Sequence, residues 1–174
     1  MKYTISVFFI LFISCGGDKD LSPFLKSADI PISSAKEINT VHTDSGIVSS
    51  ILNSSKMMNF SNASFPYFEF PLDIEVILYD KNNNQTKITA DYAISYSNSD
   101  LIDLRGNVTI STHLGDTLIS DQLYYDRAEE WLFTNYDFRY ISDDKDIYGK
   151  GFDSDKTFEK IKFLEVKGFV SLDE

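Results

Sequence analysis

The sequence has a single cysteine in 174 residues, Cys15, so the chain forms no internal disulfide and its folded domain must be held by packing. Basic residues are also few. Sixteen Lys and Arg stand against 27 Asp and Glu, and the net charge of -11 argues against a nucleic-acid partner. A G-x-S-x-G nucleophile motif and a glycine-rich phosphate loop are both missing. We therefore predict that the chain is not an enzyme and carries no cofactor.

Histidine and cysteine, which commonly bind transition metals, are scarce as well. His42 and His113 are the only histidines, and neither has a metal-ligand partner at helical or hairpin spacing, so we interpret both as solvated surface residues. Acidic runs at residues 143–146 and 153–155 lack the ordered ligands, glycine turn and distal Glu of a calcium loop. No metal site is predicted.

One acidic pair resembles glycosidase chemistry. Glu129 and Glu130 stand beside Trp131, and two carboxylates with an aromatic platform are the ingredients of such a site. Adjacent strand residues, however, point to opposite faces, and this pair falls at a predicted turn. We interpret it as a solvated tip and keep a polysaccharide hydrolase only as the third hypothesis.

The longest apolar run, from about Ile5 to Ile13, is too short to span ~30 Å of hydrocarbon, which needs about 20 residues. It follows Lys2 and ends in FISC at residues 12–15, which resembles a bacterial lipobox with Phe12 at the position where Leu is usual. We predict a signal peptide over residues 1–14 and a lipid-modified Cys15. An ordinary cleaved signal with an incidental cysteine is the alternative. Residues 15–37, with two prolines, are predicted to be a flexible tether to a domain over residues 38–174.

The remainder shows strand patterns and no convincing helix pattern. Leu72, Ile74, Val76 and Leu78 alternate with outward residues before an Asn-rich turn at residues 80–85. Segments also recur with an offset of 30: residues 89–94 correspond to 119–124, and 106–108 to 136–138. Gly106 is predicted to form a bulge or a close approach. The fold class is therefore all-β, as a sandwich, roll or solenoid.

Strand periodicity assigns one face to the interior, and this set also includes Leu164, Val166 and Val170 of the last strand. Two interpretations stay open: the side chains simply fill a core, or they line a roll that accepts acyl chains. Twelve positions are candidates for the lining of such a path. They are Ile74, Val76, Leu78, Ile88, Ile102, Leu104, Val108, Ile110, Leu118, Leu132, Phe138 and Tyr140.

An ordered series of short segments resembles the LptC family, the periplasmic component of the lipopolysaccharide export ABC transporter. The segments are TDSG at 43–46, FP at 65–66, IEVILYD at 74–80, ITADYAI at 88–94, RGNV at 105–108, GDTL at 115–118, DQLYYD at 121–126, YGKGFDSD at 148–155 and VKGFV at 166–170. No single segment is specific, but their order covers nearly all of residues 38–174. The resemblance implies a single twisted antiparallel β-jellyroll that is open at both ends.

The resemblance also implies a non-catalytic function and a set of partners. LptC receives lipopolysaccharide from the inner-membrane transporter, whose membrane subunits are LptF and LptG, and passes it to the periplasmic bridge protein LptA. The edge near residues 38–48 resembles the transporter-facing end. The LptA-facing edge would include Leu164, Val166, Gly168 and Val170.

One departure concerns the anchor. Many LptC proteins carry a transmembrane helix, whereas this sequence predicts a lipid on Cys15 that holds the protein on the periplasmic side of the inner membrane. A structural or adhesive cell-envelope lipoprotein with a filled β-sandwich is the alternative function.

Overall fold

The computed structural model describes residues 30–168, which form one antiparallel sheet of eleven strands and contain no helix. Among them, accordingly, no helix is long and apolar enough to cross a membrane. The predicted signal peptide, Cys15, most of the tether and Val170 lie outside the described residues. The strands are β1 (Ser33–Asp44), β2 (Ile47–Phe60), β3 (Tyr67–Phe70), β4 (Ile74–Tyr79), β5 (Gln85–Ala90), β6 (Tyr92–Tyr96), β7 (Leu101–Thr112), β8 (Thr117–Asp126), β9 (Trp131–Ile141), β10 (Asp146–Asp155) and β11 (Ile161–Val166).

The strands follow one another as a meander. β3 and β4 both pair with β2 and act as one long strand interrupted at residues 71–73, while β5 and β6 both pair with β7 and are interrupted at Asp91. From β7 to β11 each strand pairs with the next. The all-β prediction is confirmed, and the single large sheet is consistent with a β-jellyroll-like fold.

The Asn-rich turn between β4 and β5 is organised by Asp80. Its Oδ1 accepts hydrogen bonds from the backbone N–H groups of Asn82 and Asn84, each at 2.8 Å, and its Oδ2 accepts one from Asn84 Nδ2 at 2.9 Å. Such side-chain bonds satisfy the backbone donors of a tight turn. They also explain why β4 ends before this polar run and β5 begins at its end.

A line of irregularities crosses the middle of the sheet. The pairing register shifts between Arg105 and Val108 in β7, within residues 120–124 of β8, and between Lys150 and Phe152 in β10. Gly106 has φ +75° and a Cβ there would lie 2.9 Å from Asp91 Oδ2, so the predicted bulge is confirmed. Bulges increase the local bend of a strand, which helps a single sheet to curl over its own apolar face.

The 30-residue recurrence has a structural meaning. β8 and β10 are both ten residues long and show the same succession of buried, half-buried and exposed positions, 29 residues apart. Near Asp91 and again near Asp121, 30 residues apart, the buried positions change from even to odd residue numbers. The repeat is therefore a hairpin of two strands with a bend at its centre.

Three local predictions need correction. β1 begins at Ser33, so residues 33–37 belong to the sheet and not to the tether. Leu72 lies exposed in the break between β3 and β4 and is not part of the alternating strand. In β11, Ile161 and Phe163 pack against the core while Leu164 and Val166 are exposed, because stacking of Phe163 on Phe138 fixes the opposite face inward.

Candidate functional site

The interior of the curled sheet collects every residue of the candidate path. Each of the twelve side chains is 5% exposed or less. They come from five strands, β4, β5, β7, β8 and β9. The period-two pattern thus assigned the inward face of these strands correctly, while a role in carrying lipid is a separate question.

This interior is filled by its own side chains. Ile88, Ile110 and Leu132 have no accessible surface, and Val108 and Leu118 have almost none. Because a water-sized sphere cannot reach these atoms, no open channel runs along them. An acyl chain could therefore occupy this interior only by displacing side chains.

Aromatic rings close the interior next to the last strand. Phe163 of β11 stacks on Phe138 with centroids 5.3 Å apart and lies 5.5 Å from Tyr140 and 5.9 Å from Phe152. Phe158, in the turn before β11, has φ +62° and packs 5.7 Å from Phe152. Burial raises the pKa of Tyr140 to about 12, because the apolar cluster disfavours the charged phenolate.

The C-terminal edge strand, β11, is attached to β10 by backbone pairing. β11 pairs with β10 from Gly149–Val166 to Ser154–Ile161, and Lys167 N–H donates to the Tyr148 carbonyl at 2.7 Å. Within residues 30–168 the other side of β11 has no strand partner. Leu164 and Val166 are exposed, and Gly168 continues the edge. This is the geometry that strand addition by another chain requires.

The N-terminal edge is built differently. β1 pairs only with β2 among the described strands, and Val41, Ile47 and Val48 are exposed near the tip of the hairpin. Toward its base, Asp73 accepts hydrogen bonds from Ser55 N–H at 2.6 Å and Ser55 Oγ at 2.5 Å. These bonds lower the pKa of Asp73 and attach β2 to the segment before β4.

The outer face carries a polar cluster that sequence reasoning missed. Asp103 occupies an outward position of β7 yet is only 1% exposed, and it forms an ion pair with Arg105. Its Oδ1 accepts a hydrogen bond from Gln122 Nε2 at 2.6 Å, and the same amide donates to the Tyr124 hydroxyl at 3.0 Å. In the sequence, the opposite charges of Asp103 and Arg105, two residues apart on one strand face, could have indicated this cluster. Strand alternation alone, however, predicts that the Asp103 carboxylate is solvated.

The residues considered as metal ligands or as glycosidase carboxylates do not form a common site. His42 and His113 are exposed, as predicted. Glu129 and Glu130 are exposed in the turn between β8 and β9, with Glu130 paired to Lys156. Among residues 30–168 no group of three or more His, Cys, Asp or Glu side chains is placed to hold a metal ion.

A family model described as "Lipopolysaccharide-assembly, LptC-related" matches residues 5–170, which is most of the chain. A search of curated proteins finds no match.

Proposed function

This chain belongs to the LptC-related family of lipopolysaccharide-assembly proteins, and we propose that it is the relay that takes lipopolysaccharide from the inner-membrane transporter to LptA. Family membership places it among the components of lipopolysaccharide transport, at the periplasmic side of the inner membrane. The proposed relay involves no bond making or breaking. The interior would shield acyl chains while the sugars and phosphates stay in solvent.

The continuous inward face is the observation that carries this proposal. Apolar side chains extend from Leu52 in β2 through the central strands to Phe163 in β11, so the face is continuous from β2 to β11. Each methylene of an acyl chain gains about 0.8 kcal/mol on leaving water. A run of similar apolar positions lets a chain move in small steps without a deep trap.

Surface charge favours the same arrangement. The chain carries a net charge of -11, so its exterior repels the anionic phosphates of a lipopolysaccharide head group. Tails would therefore enter the apolar interior while head groups remain outside. Screening at physiological ionic strength limits this repulsion to roughly 8 Å.

The two edges and the anchor complete the proposal. The exposed side of β11 would add a strand of LptA, and the N-terminal hairpin would contact LptF and LptG. A lipid on Cys15 would hold the protein at the inner membrane. In that arrangement the lipid replaces an anchoring helix and leaves the task of the folded domain unchanged.

Site-specific photo-crosslinking in living cells tests the interior. A photoreactive amino acid at Phe138 or Val108 should give lipopolysaccharide adducts, whereas one at Ile119, which is exposed on the outer face of β8, should give none. Phe138 is the better position because it already holds a large ring. Folded protein without adducts at either interior position would contradict the relay.

The filled interior favours a second candidate, a structural or adhesive envelope lipoprotein that never opens. All twelve path residues are packed against neighbours in this structure, as such a protein requires. The crosslinking experiment separates the two candidates, because a permanently filled core reacts only with its own side chains.

A further inference from the structure

A groove of about 360 Å³ lies on the outer face of the sheet, beside the irregular centres of β7, β8 and β9. Its walls are Arg105, Asp121, Gln122, Tyr124 and Tyr136. We propose that this groove binds a neutral saccharide. The volume is within the range of about 300–1,000 Å³ that small-molecule sites occupy.

A buried carboxylate holds the walls in place. Asp103 accepts from Gln122 Nε2 through Oδ1 and from Arg105 Nε through Oδ2, the latter at 2.9 Å. Gln122 in turn reaches the Tyr124 hydroxyl, and the Tyr124 ring stacks on Phe133 at 5.2 Å. Burying a carboxylate on a solvent-side face is costly unless it is fully paired. Here the pairing orients three side chains toward one depression.

Several polar groups of the groove keep hydrogen-bonding capacity. Arg105 Nη1, Gln122 Oε1 and the Tyr136 hydroxyl have no partner within residues 30–168. They supply two donors, one acceptor and one group that does both. Sugar hydroxyls need this mixture, because each can donate one hydrogen bond and accept others.

Ring faces and charge narrow the ligand class. Tyr124 and Tyr136 offer apolar faces with polar tips, which match the C–H face and hydroxyl rim of a pyranose. Asp103 and Asp121 together outweigh the single guanidinium of Arg105, so the local charge is negative. A phosphorylated saccharide is therefore disfavoured, and a neutral glycan is favoured over a phosphorylated lipid head group.

Binding is tested on the full chain by ¹H–¹⁵N NMR titration with cellobiose, and with cellobiose 6-phosphate as the anionic match. Cellobiose should shift the amides of residues 120–124 and 135–137, and the phosphate should bind more weakly. Tyr136→Ala should weaken cellobiose at least tenfold, or ~1.4 kcal/mol. Tyr136 is 51% exposed, so its loss leaves the core intact.

Tyr148→Ala is the control, because Tyr148 is 45% exposed and lies outside the groove over Arg139. It should leave cellobiose binding unchanged. Absence of shifts, shifts outside the groove, tighter binding of the phosphate, or equal binding by Tyr136→Ala would each overturn the proposal. The groove lies on the face opposite the interior, so this failure would not affect crosslinking at Phe138.

Discussion

The two ends of the sheet are held to the rest of the fold by different interactions. In the N-terminal hairpin, β1 is exposed along most of its length while β2 is mostly half-buried, and Ile47 at the tip is 73% exposed. The C-terminal end, β9 to β11, packs Phe138, Phe152 and Phe163 against one another. Backbone pairing and surface hydrogen bonds contribute most at the first end, where only part of β2 packs on the core, whereas apolar burial dominates at the second.

This contrast indicates that the ends differ in local stability. Strands with few buried side chains open readily, while strands that cover a core share the free energy of global unfolding. We expect the N-terminal hairpin to adapt to a partner and the C-terminal edge to present a rigid strand. The predictions below test that contrast, from the largest expected effect to the smallest.

The same substitution in the two regions should have very different effects. Ile110→Asp places a charge at a position with no accessible surface, and we expect a loss of about 3–5 kcal/mol in the free energy of unfolding. Ile47→Asp, at the exposed tip, should stay within about 0.5 kcal/mol of wild type. Urea unfolding measures both. Wild-type stability of Ile110→Asp would show that the face assignment is wrong.

Gly149 tests the C-terminal attachment. A Cβ at this position would collide with the Glu165 carbonyl oxygen and lie 2.8 Å from the Phe138 ring, so Gly149→Ala must push β11 outward. We expect a loss of about 1–3 kcal/mol, with faster hydrogen exchange in β11. Lys150→Ala, one residue along and exposed, is the control and should leave exchange unchanged. Protection in β11 that is equal in both variants would argue against a tightly packed edge.

Acid should loosen the N-terminal end first. The pKa of Asp73 is lowered chiefly by the Ser55 N–H bond, and that of Glu75 chiefly by Lys87. Carboxyl groups with lowered pKa values stabilise the fold above their ordinary values of 3.8 and 4.5, and this contribution is lost as pH falls below them. Each group is worth about 0.2–1 kcal/mol because solvent screens it.

Hydrogen-exchange protection factors for β2 and β11, followed from pH 6 downward, measure this difference. Protection in β2 should fall before protection in β11, and Asp73→Asn should reproduce part of that loss at neutral pH. Asp44→Asn, at the exposed tip, is the control. If both ends lost protection together, the proposed difference in attachment would not hold.

Much of the fold follows from local pattern. Alternation at Ile74, Val76 and Leu78 predicted a strand with one buried face, and the Asp80 turn ended it where expected. Gly106 was predicted as a bulge because a strand-interior glycine has no side chain to pack. Alternation failed in β11, where Phe163 and Leu164 are both apolar and only the contact with Phe138 decides which one faces inward.

The candidate site divides in the same way. Inward residues could be read from the sequence because burial of apolar side chains follows the two-residue period of a strand. Asp103 could not, because its burial depends on Gln122 and Tyr124 from the next strand. Whether the interior is filled or hollow also lay beyond the pattern, since both arrangements require the same apolar residues.

Sequence alone determined the all-β class, the 30-residue hairpin repeat, the inward face of the central strands and the resemblance to LptC, because each depends on residue order and short-range periodicity. Tertiary structure decided the alignment of the bulges across the sheet, the closed interior, the inward face of β11 and the outer groove. These features arise from contacts between side chains of separate hairpins, and those contacts depend on how the whole sheet curls.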